Sequence, residues 1–240
     1  MQRLSTVVAM QYSGIIFDLD GTLLDTLADI ARAMNRVLRN HGFPERKVAE
    51  YRTMVGWGLE ELARRALPPG HTEESEQASN GLVAQCYREV LTAYAAAPVV
   101  ETQPFDGVPE ALRELWEAGA PLAVLSNKHD DLVTQIVEQT LGMQYFKVVR
   151  GARDGVPKKP HQEAAHSIAR RLEVAPEQIV FIGDSEVDIE TARRAGMIAV
   201  AVTWGIGTRA QLESAGPDVL IQQPADILTK LSFRPHTAAT

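Results

Sequence analysis

The chain has 240 residues, 45% of them hydrophobic and 23% charged, with a formal net charge of −7 and one cysteine. Such a composition excludes disorder as the default and gives enough chain for one large domain, or a core carrying an insertion. The acidic balance, without any block of Lys and Arg, excludes a general binder of nucleic acid or anionic membrane, and the lone Cys86 excludes an internal disulfide. Residues 1–10 are expected to be a loose end: Val7 to Met10 is too short for a signal-peptide core. No run approaches the ~18 apolar residues of a membrane span, and the expectation is a soluble protein of the reducing cytoplasm.

Ile15, Ile16 and Phe17 predict a short buried strand that stops by Gly21 and carries Asp18 and Asp20 at its end. Two residues apart, these carboxylates project to one face if the strand continues that far. From 26 to about 97 there is no strand pattern. Leu27, Ile30, Ala31, Met34, Val37 and Leu38 recur at the spacing of one helix face, which predicts a helix ending near His41-Gly42. Further helices are expected over Glu45 to Met54, from Gly58 to Leu67 and before Pro98, with Pro68-Pro69-Gly70 as a break. From Pro104 onward helices and strands alternate: helix 108–118, strand 121–125, helix 129–141, strand 145–149, helix 161–172 and strand 178–182. Helix 186–195, strand 197–202, helix 208–214, strand 218–221 and a last short helix follow, and 234–240 is the second expected loose end.

That alternation implies an α/β fold with a doubly wound parallel sheet, to which the first strand belongs. The expected organisation is a discontinuous core of residues 11–24 and 101–233, with an α-helical domain of residues 25–100 inserted after strand one. In such a sheet a ligand lies beyond the carboxyl ends of the strands. Four segments are placed there: Asp18 to Thr22, Ser126-Asn127 after PLAVL, Lys158-Lys159-Pro160 in a loop, and Gly183 to Asp188 after IVFI. Carboxylates from two loops suit Mg²⁺, and a Lys and a Ser suit the remaining oxygens of a phosphoryl group. Asp18 is placed to attack phosphorus, and Asp20 to protonate the leaving oxygen and then activate water.

DLDGTLLDT, SN, KKP and GDSEVD, in this order, resemble the four motifs of the haloacid dehalogenase-like phosphatase superfamily, over nearly the whole chain, and the insertion looks like that superfamily's α-helical cap placed after strand one. The resemblance implies Asp18 as nucleophile and metal ligand, and Asp20 as acid/base with its backbone carbonyl on Mg²⁺. Thr22 would help position Asp20. Ser126 and the backbone N–H of Asn127 would bind phosphate, Lys159 would neutralise nucleophile and phosphate, Asp184 would bind Mg²⁺, and Asp188 would orient the lysine or support the metal. MVGWGLEELARRAL and TQPFDGVPEALREL, with SNK, look like the phosphoglycolate phosphatase branch, and Gln162 departs from the proline usual there. In the cap, Gly56, Trp57 and Gly58 are candidate substrate contacts, because glycines on both sides suit a mobile loop. Arg64 or Arg65 is a candidate for a substrate carboxylate.

The expected function is Mg²⁺-dependent hydrolysis of a small phosphorylated metabolite, 2-phosphoglycolate, through an aspartyl phosphate. The same motifs also serve sugar-phosphate and nucleotide phosphatases, pyrophosphatases and β-phosphoglucomutase-like enzymes. A dehalogenase would lack Asp20 and the metal, and a catalytically silent phosphate-binding protein would have little need of all four motifs. Oligomeric state is not legible.

Overall fold

The computed structural model describes residues 10–69 and 76–234. The expectations for residues 1–9 and 235–240 lie outside them. After β1 (Met10–Tyr12) and β2 (Gly14–Phe17) the chain leaves the sheet through β3 (Leu24–Asp25). It then forms α1 (Leu27–Asn40), a 3₁₀ turn at Val48–Thr53, α2 (Leu59–Ala66) and α3 (Glu76–Ala95), and returns through β4 (Gln103–Pro104), which pairs antiparallel with β3. Then come α4 (Val108–Glu117), β5 (Leu122–His129), α5 (Asp130–Thr140), β6 (Phe146–Ala152), α6 (Glu163–Leu172), β7 (Ile179–Gly183) and α7 (Glu186–Arg194). The chain closes with β8 (Ile198–Val202), α8 (Arg209–Ala215), β9 (Val219–Ile221), α9 (Ala225–Lys230) and β10 (Leu231–Phe233).

The central sheet runs β6-β5-β2-β7-β8-β9, and every pairing in it is parallel. Alternation along β2 explains its two covered faces. Ile15 and Phe17 join the core that contains α1, α2 and α4 residues, whereas Ile16 joins a second core under α6 and α7. All three side chains are almost wholly excluded from solvent, each worth about 1.5–3 kcal/mol in burial. This is the α/β fold with a parallel sheet that the alternation implied, with the inserted helical cap that the resemblance implied.

Three local expectations differ. The helix expected over Glu45 to Met54 is a 3₁₀ turn, because Arg46 N–H bonds Asn35 Oδ1 and the Arg46 guanidinium bonds the carbonyls of Ala66 and Leu67. Tertiary partners there replace helical ones. The strand expected to end at Leu125 runs to His129 beside β6, carrying the polar Ser126, Asn127 and Lys128 along a buried path. The pairs β3–β4 and β1–β10 had no sequence signal, and β1 takes in Met10, assigned to the loose end.

The return crossing is fastened by one carboxylate. Asp29 of α1, 0% exposed, accepts at Oδ2 from the backbone N–H groups of Val100, Glu101 and Thr102 at 3.0, 3.0 and 2.9 Å and from Thr102 Oγ1 at 2.7 Å. Arg32 bonds Oδ1 at 2.8 Å. Burial pushes its pKa up, but these donors outweigh it and hold it at about 2 against an ordinary 3.8. The depressed value means that the charge stabilises the fold above about pH 4 and that this contribution disappears as pH falls through about 2, a difference of roughly 2 kcal/mol. Asp29→Asn is expected to lower unfolding free energy by about that amount at neutral pH, with the gap to wild type narrowing by about pH 3. Urea titrations at the two pH values check it, and a gap independent of pH would show that the charge is not its source.

Candidate active site

The carboxyl ends of β2, β5 and β7 and the loop after β6 bring the four sequence segments together. Asp18, immediately after β2 and 6% exposed, accepts at Oδ1 from Leu19 N–H at 2.7 Å and faces Lys159 Nζ at 2.9 Å. Lys159, 4% exposed, also donates to Asp188 Oδ1 at 2.7 Å. Asp188 Oδ2 is held by Ser185 N–H and Oγ at 3.1 and 2.6 Å, so this third residue of α7 both completes the capping of its helix and carries the lysine. Asp184 directly follows β7 and accepts from Thr22 Oγ1 at 3.1 Å and from Ile206 N–H at 2.7 Å.

One oxygen each from Asp18, Asp184 and Asp188 lie within 4.8 Å of one another, all buried. Three carboxylates against one lysine leave an excess of buried negative charge. Burial first, and then the neighbouring Asp188, push Asp184 up to about 7 against its bonds from Ile206 and Thr22. The same two causes raise Asp18 well above the usual carboxylate range, with Lys159 opposing. Burial works against the Lys159 charge, yet Asp18 and Asp188 hold it above its ordinary pKa. A cluster of hard oxygen donors with unbalanced charge fits a divalent cation such as Mg²⁺. The close approach depends on glycine. A Cβ on Gly21, at φ +84°, or on Gly205 would run into the Asp184 carboxylate.

The structure assigns the hydroxyls differently from the resemblance. Thr22 bonds Asp184 rather than Asp20, because the turn after Asp20 points its hydroxyl across to β7. Asp20 Oδ1 instead accepts from Thr26 Oγ1 at 2.6 Å and from Lys128 Nζ at 2.5 Å. Ser126, 3% exposed, lies in the crevice with its Oγ near Lys128 N–H. The Asn127 side chain binds both sides of the loop that carries the lysine, donating to Lys159 O and accepting from Lys159 N–H, and also donates to Gly56 O across the crevice.

The cavity between cap and core, about 380 Å³ with its open mouth, is lined by Asp18, Asp20, Ser126, Asn127 and Lys128 below and by Ile30, Val55, Gly56, Gly58, Leu59 and Leu62 above. Trp57 is not in that lining. It is 37% exposed, has Arg65 6.0 Å from its ring and borders an outer groove along α7 and α8. Arg64 and Arg65 both pair with Glu61. Arg52 reaches across to the carbonyls of Gly205 and Ile206, the loop whose N–H holds Asp184. Sequence reasoning missed Lys128, Tyr94, Thr26 and Arg52 as site neighbours. The SNK triplet was the one available signal, and it gave Lys128 no role. Among the described residues no histidine joins the carboxylate cluster.

A sequence profile of haloacid dehalogenase-like hydrolases matches residues 15–202, which spans all four segments. The chain belongs to this hydrolase family. It is 33% identical over 221 residues to a phosphoglycolate phosphatase of Yersinia pseudotuberculosis, covering 92% of this chain and 93% of that one. It is 31% identical over 237 residues to the phosphoglycolate phosphatase of Escherichia coli K12, covering 93% and 94%. The crystal structure of a predicted phosphoglycolate phosphatase from Haemophilus somnus superposes with a TM-score of 0.81 at 28% identity, covering 91% of this chain and 97% of that one. Within the haloacid dehalogenase-like hydrolases the chain is thus an enzyme of the phosphatase type, similar to the phosphoglycolate phosphatase branch. Among the described residues no helix is long and apolar enough to cross a membrane.

Proposed function

We propose that this protein hydrolyses a small phosphomonoester, 2-phosphoglycolate, in two steps through Asp18. The observation that carries the mechanism is the position of Asp18: a buried carboxylate at a strand end, touched by Lys159 and grouped with Asp184 and Asp188. The free oxygen of Asp18 attacks phosphorus while the bond to the leaving oxygen breaks, and Asp20 gives that oxygen a proton. Asp20 then takes a proton from water, whose oxygen attacks phosphorus and releases Asp18 and inorganic phosphate. Lys159 offsets charge on Asp18 and on the phosphoryl oxygens throughout, and Ser126 with the Asn127 N–H holds those oxygens. Asp18, Asp184 and the Asp20 carbonyl would hold Mg²⁺, which supplies charge neutralisation to the phosphoryl group. Asp188, with both oxygens already engaged, serves chiefly to hold Lys159.

The cap side of the cavity supports the choice of substrate. Its roof of Ile30, Val55, Leu59 and Leu62 is apolar and offers no side-chain partner to the hydroxyls of a sugar. A short leaving group without hydroxyls suits this apolar roof, with its carboxylate toward the Gly56 to Gly58 backbone. The arginines expected for that carboxylate are engaged with Glu61 outside the lining. A panel of 2-phosphoglycolate, hexose and amino-sugar 6-phosphates, nucleoside monophosphates and pyrophosphate, with Mg²⁺ and with EDTA, tests the reading. The expected result is a kcat/KM for 2-phosphoglycolate at least about tenfold above the others, as a roof without sugar-hydroxyl partners requires, and none in EDTA. A tenfold preference for another ester overturns the substrate, and full activity in EDTA overturns the site.

A further inference from the structure

Lys128 is a buried cation with no step of its own in the chemistry above. It lies near the end of β5, two residues past Ser126, and is 3% exposed. A buried ammonium persists only where its charge and its N–H groups are met. Here Nζ donates to Asp20 Oδ1 and, at 2.9 Å, to Tyr94 Oη, and it stands 4.7 Å from the centroid of the Tyr94 ring. Tyr94 comes from α3 in the cap and is 0% exposed. Burial works against the lysine's charge, but attraction to Asp20 more than restores it.

The consequence falls on one oxygen. Lys128 and Thr26 both donate to Asp20 Oδ1, and among the described residues Oδ2 has no donor. Asp20 lines the cavity, so Oδ2 is the oxygen left to exchange a proton with the leaving group. Proton transfer needs the heavy atoms held at about 2.6–3.2 Å, which a freely turning carboxylate does not offer.

We infer that Lys128 and Tyr94 are positioning residues that fix the Asp20 carboxylate so that Oδ2 faces the leaving oxygen; this rests on the reading of Asp20 as acid/base. Because one partner belongs to the core strand and the other to the cap helix, the clamp is complete only with the cap seated over the crevice. The acid is then aimed only when the substrate is enclosed.

Two esters separate aiming from a merely structural role. p-Nitrophenolate departs as a stable anion, whereas phenolate, with the pKa of about 10 of a tyrosine side chain, needs the proton. The quantity to read is kcat/KM, which ends with departure of the alcohol. Lys128→Met is expected to lower it about 10²-fold for phenyl phosphate and less than about threefold for p-nitrophenyl phosphate, and Tyr94→Phe to act in the same sense at about tenfold. Equal losses on the two esters, or no loss, in Lys128→Met overturn the proposal. If that variant does not fold, Tyr94→Phe decides by the same ratio. Asp20→Asn is measured beside them: equal losses there remove the acid/base reading itself. Selective loss in Asp20→Asn with equal losses in Lys128→Met removes only the positioning role.

Discussion

Asp18→Asn is expected to reduce turnover by about 10⁴-fold or more, the scale on which an enzyme loses its covalent nucleophile. The amide keeps the shape of the side chain and can still accept at its oxygen from Leu19 N–H, which bonds Asp18 Oδ1 at 2.7 Å. What it lacks is an electron pair able to attack phosphorus. The fold is expected to survive, because Lys159 retains its bond to Asp188 and one charge leaves a cluster in which three carboxylates face one lysine. Thermal unfolding of the metal-free variant should therefore occur at or above the wild-type temperature, while steady-state hydrolysis of p-nitrophenyl phosphate is lost. Retention of more than about a tenth of wild-type activity would rule out the covalent route, since no bypass of a missing nucleophile is that efficient.

Asp18 was legible because its surroundings are local: three apolar residues, a carboxylate pair and a glycine within seven positions. The same holds for the sheet, where buried strands such as IVFI are continuous apolar runs between helix-period segments. Lys128 shows where that legibility ends. A polar triplet after an apolar run ordinarily marks a strand's exit to solvent, yet Ser126, Asn127 and Lys128 stay buried in β5. Their partners explain it, and those lie 108 residues away at Asp20, 34 at Tyr94, and 71 and 32 at Gly56 and Lys159. No period or turn signal encodes contacts of that separation. Trp57 is the converse case. Its flanking glycines, expected to suit a mobile loop, have positive φ at Gly56 and Gly58, but which way the ring turns depends on Arg65 and on α7 and α8 beyond the crevice. The β3–β4 crossing escaped notice for the same reason. Two-residue strands carry no pattern, and the clasp that fastens them, Asp29, reads in sequence as an ordinary acid in the first turn of a helix.

Adjacent lysines give the second large effect, and their contrast makes it specific. Lys159→Ala is expected to lower kcat by about 10²-fold or more, the loss that follows removal of a fixed donor to developing charge. Among the described residues Lys159 Nζ is the one cation within ion-pair distance of Asp18 and Asp188, and nothing next to it can substitute. Asn127 holds the Lys159 backbone on both sides, at 2.8 and 3.0 Å, so the loop is fixed independently of the side chain and the truncation removes a charge rather than a fold. Lys158 is exposed and lies against Gly58 of the cap loop, with its Nζ 3.6 Å from where a Cβ would stand there. Its change to Ala removes a solvated charge at the cavity's edge and is expected to alter kcat by less than about threefold, with any effect appearing in KM through the cap loop. Steady-state kinetics of both variants on p-nitrophenyl phosphate checks the pair. A larger loss for Lys158 than for Lys159 would place the phosphoryl group on the cap side of the loop and overturn the assignment of Lys159 to Asp18.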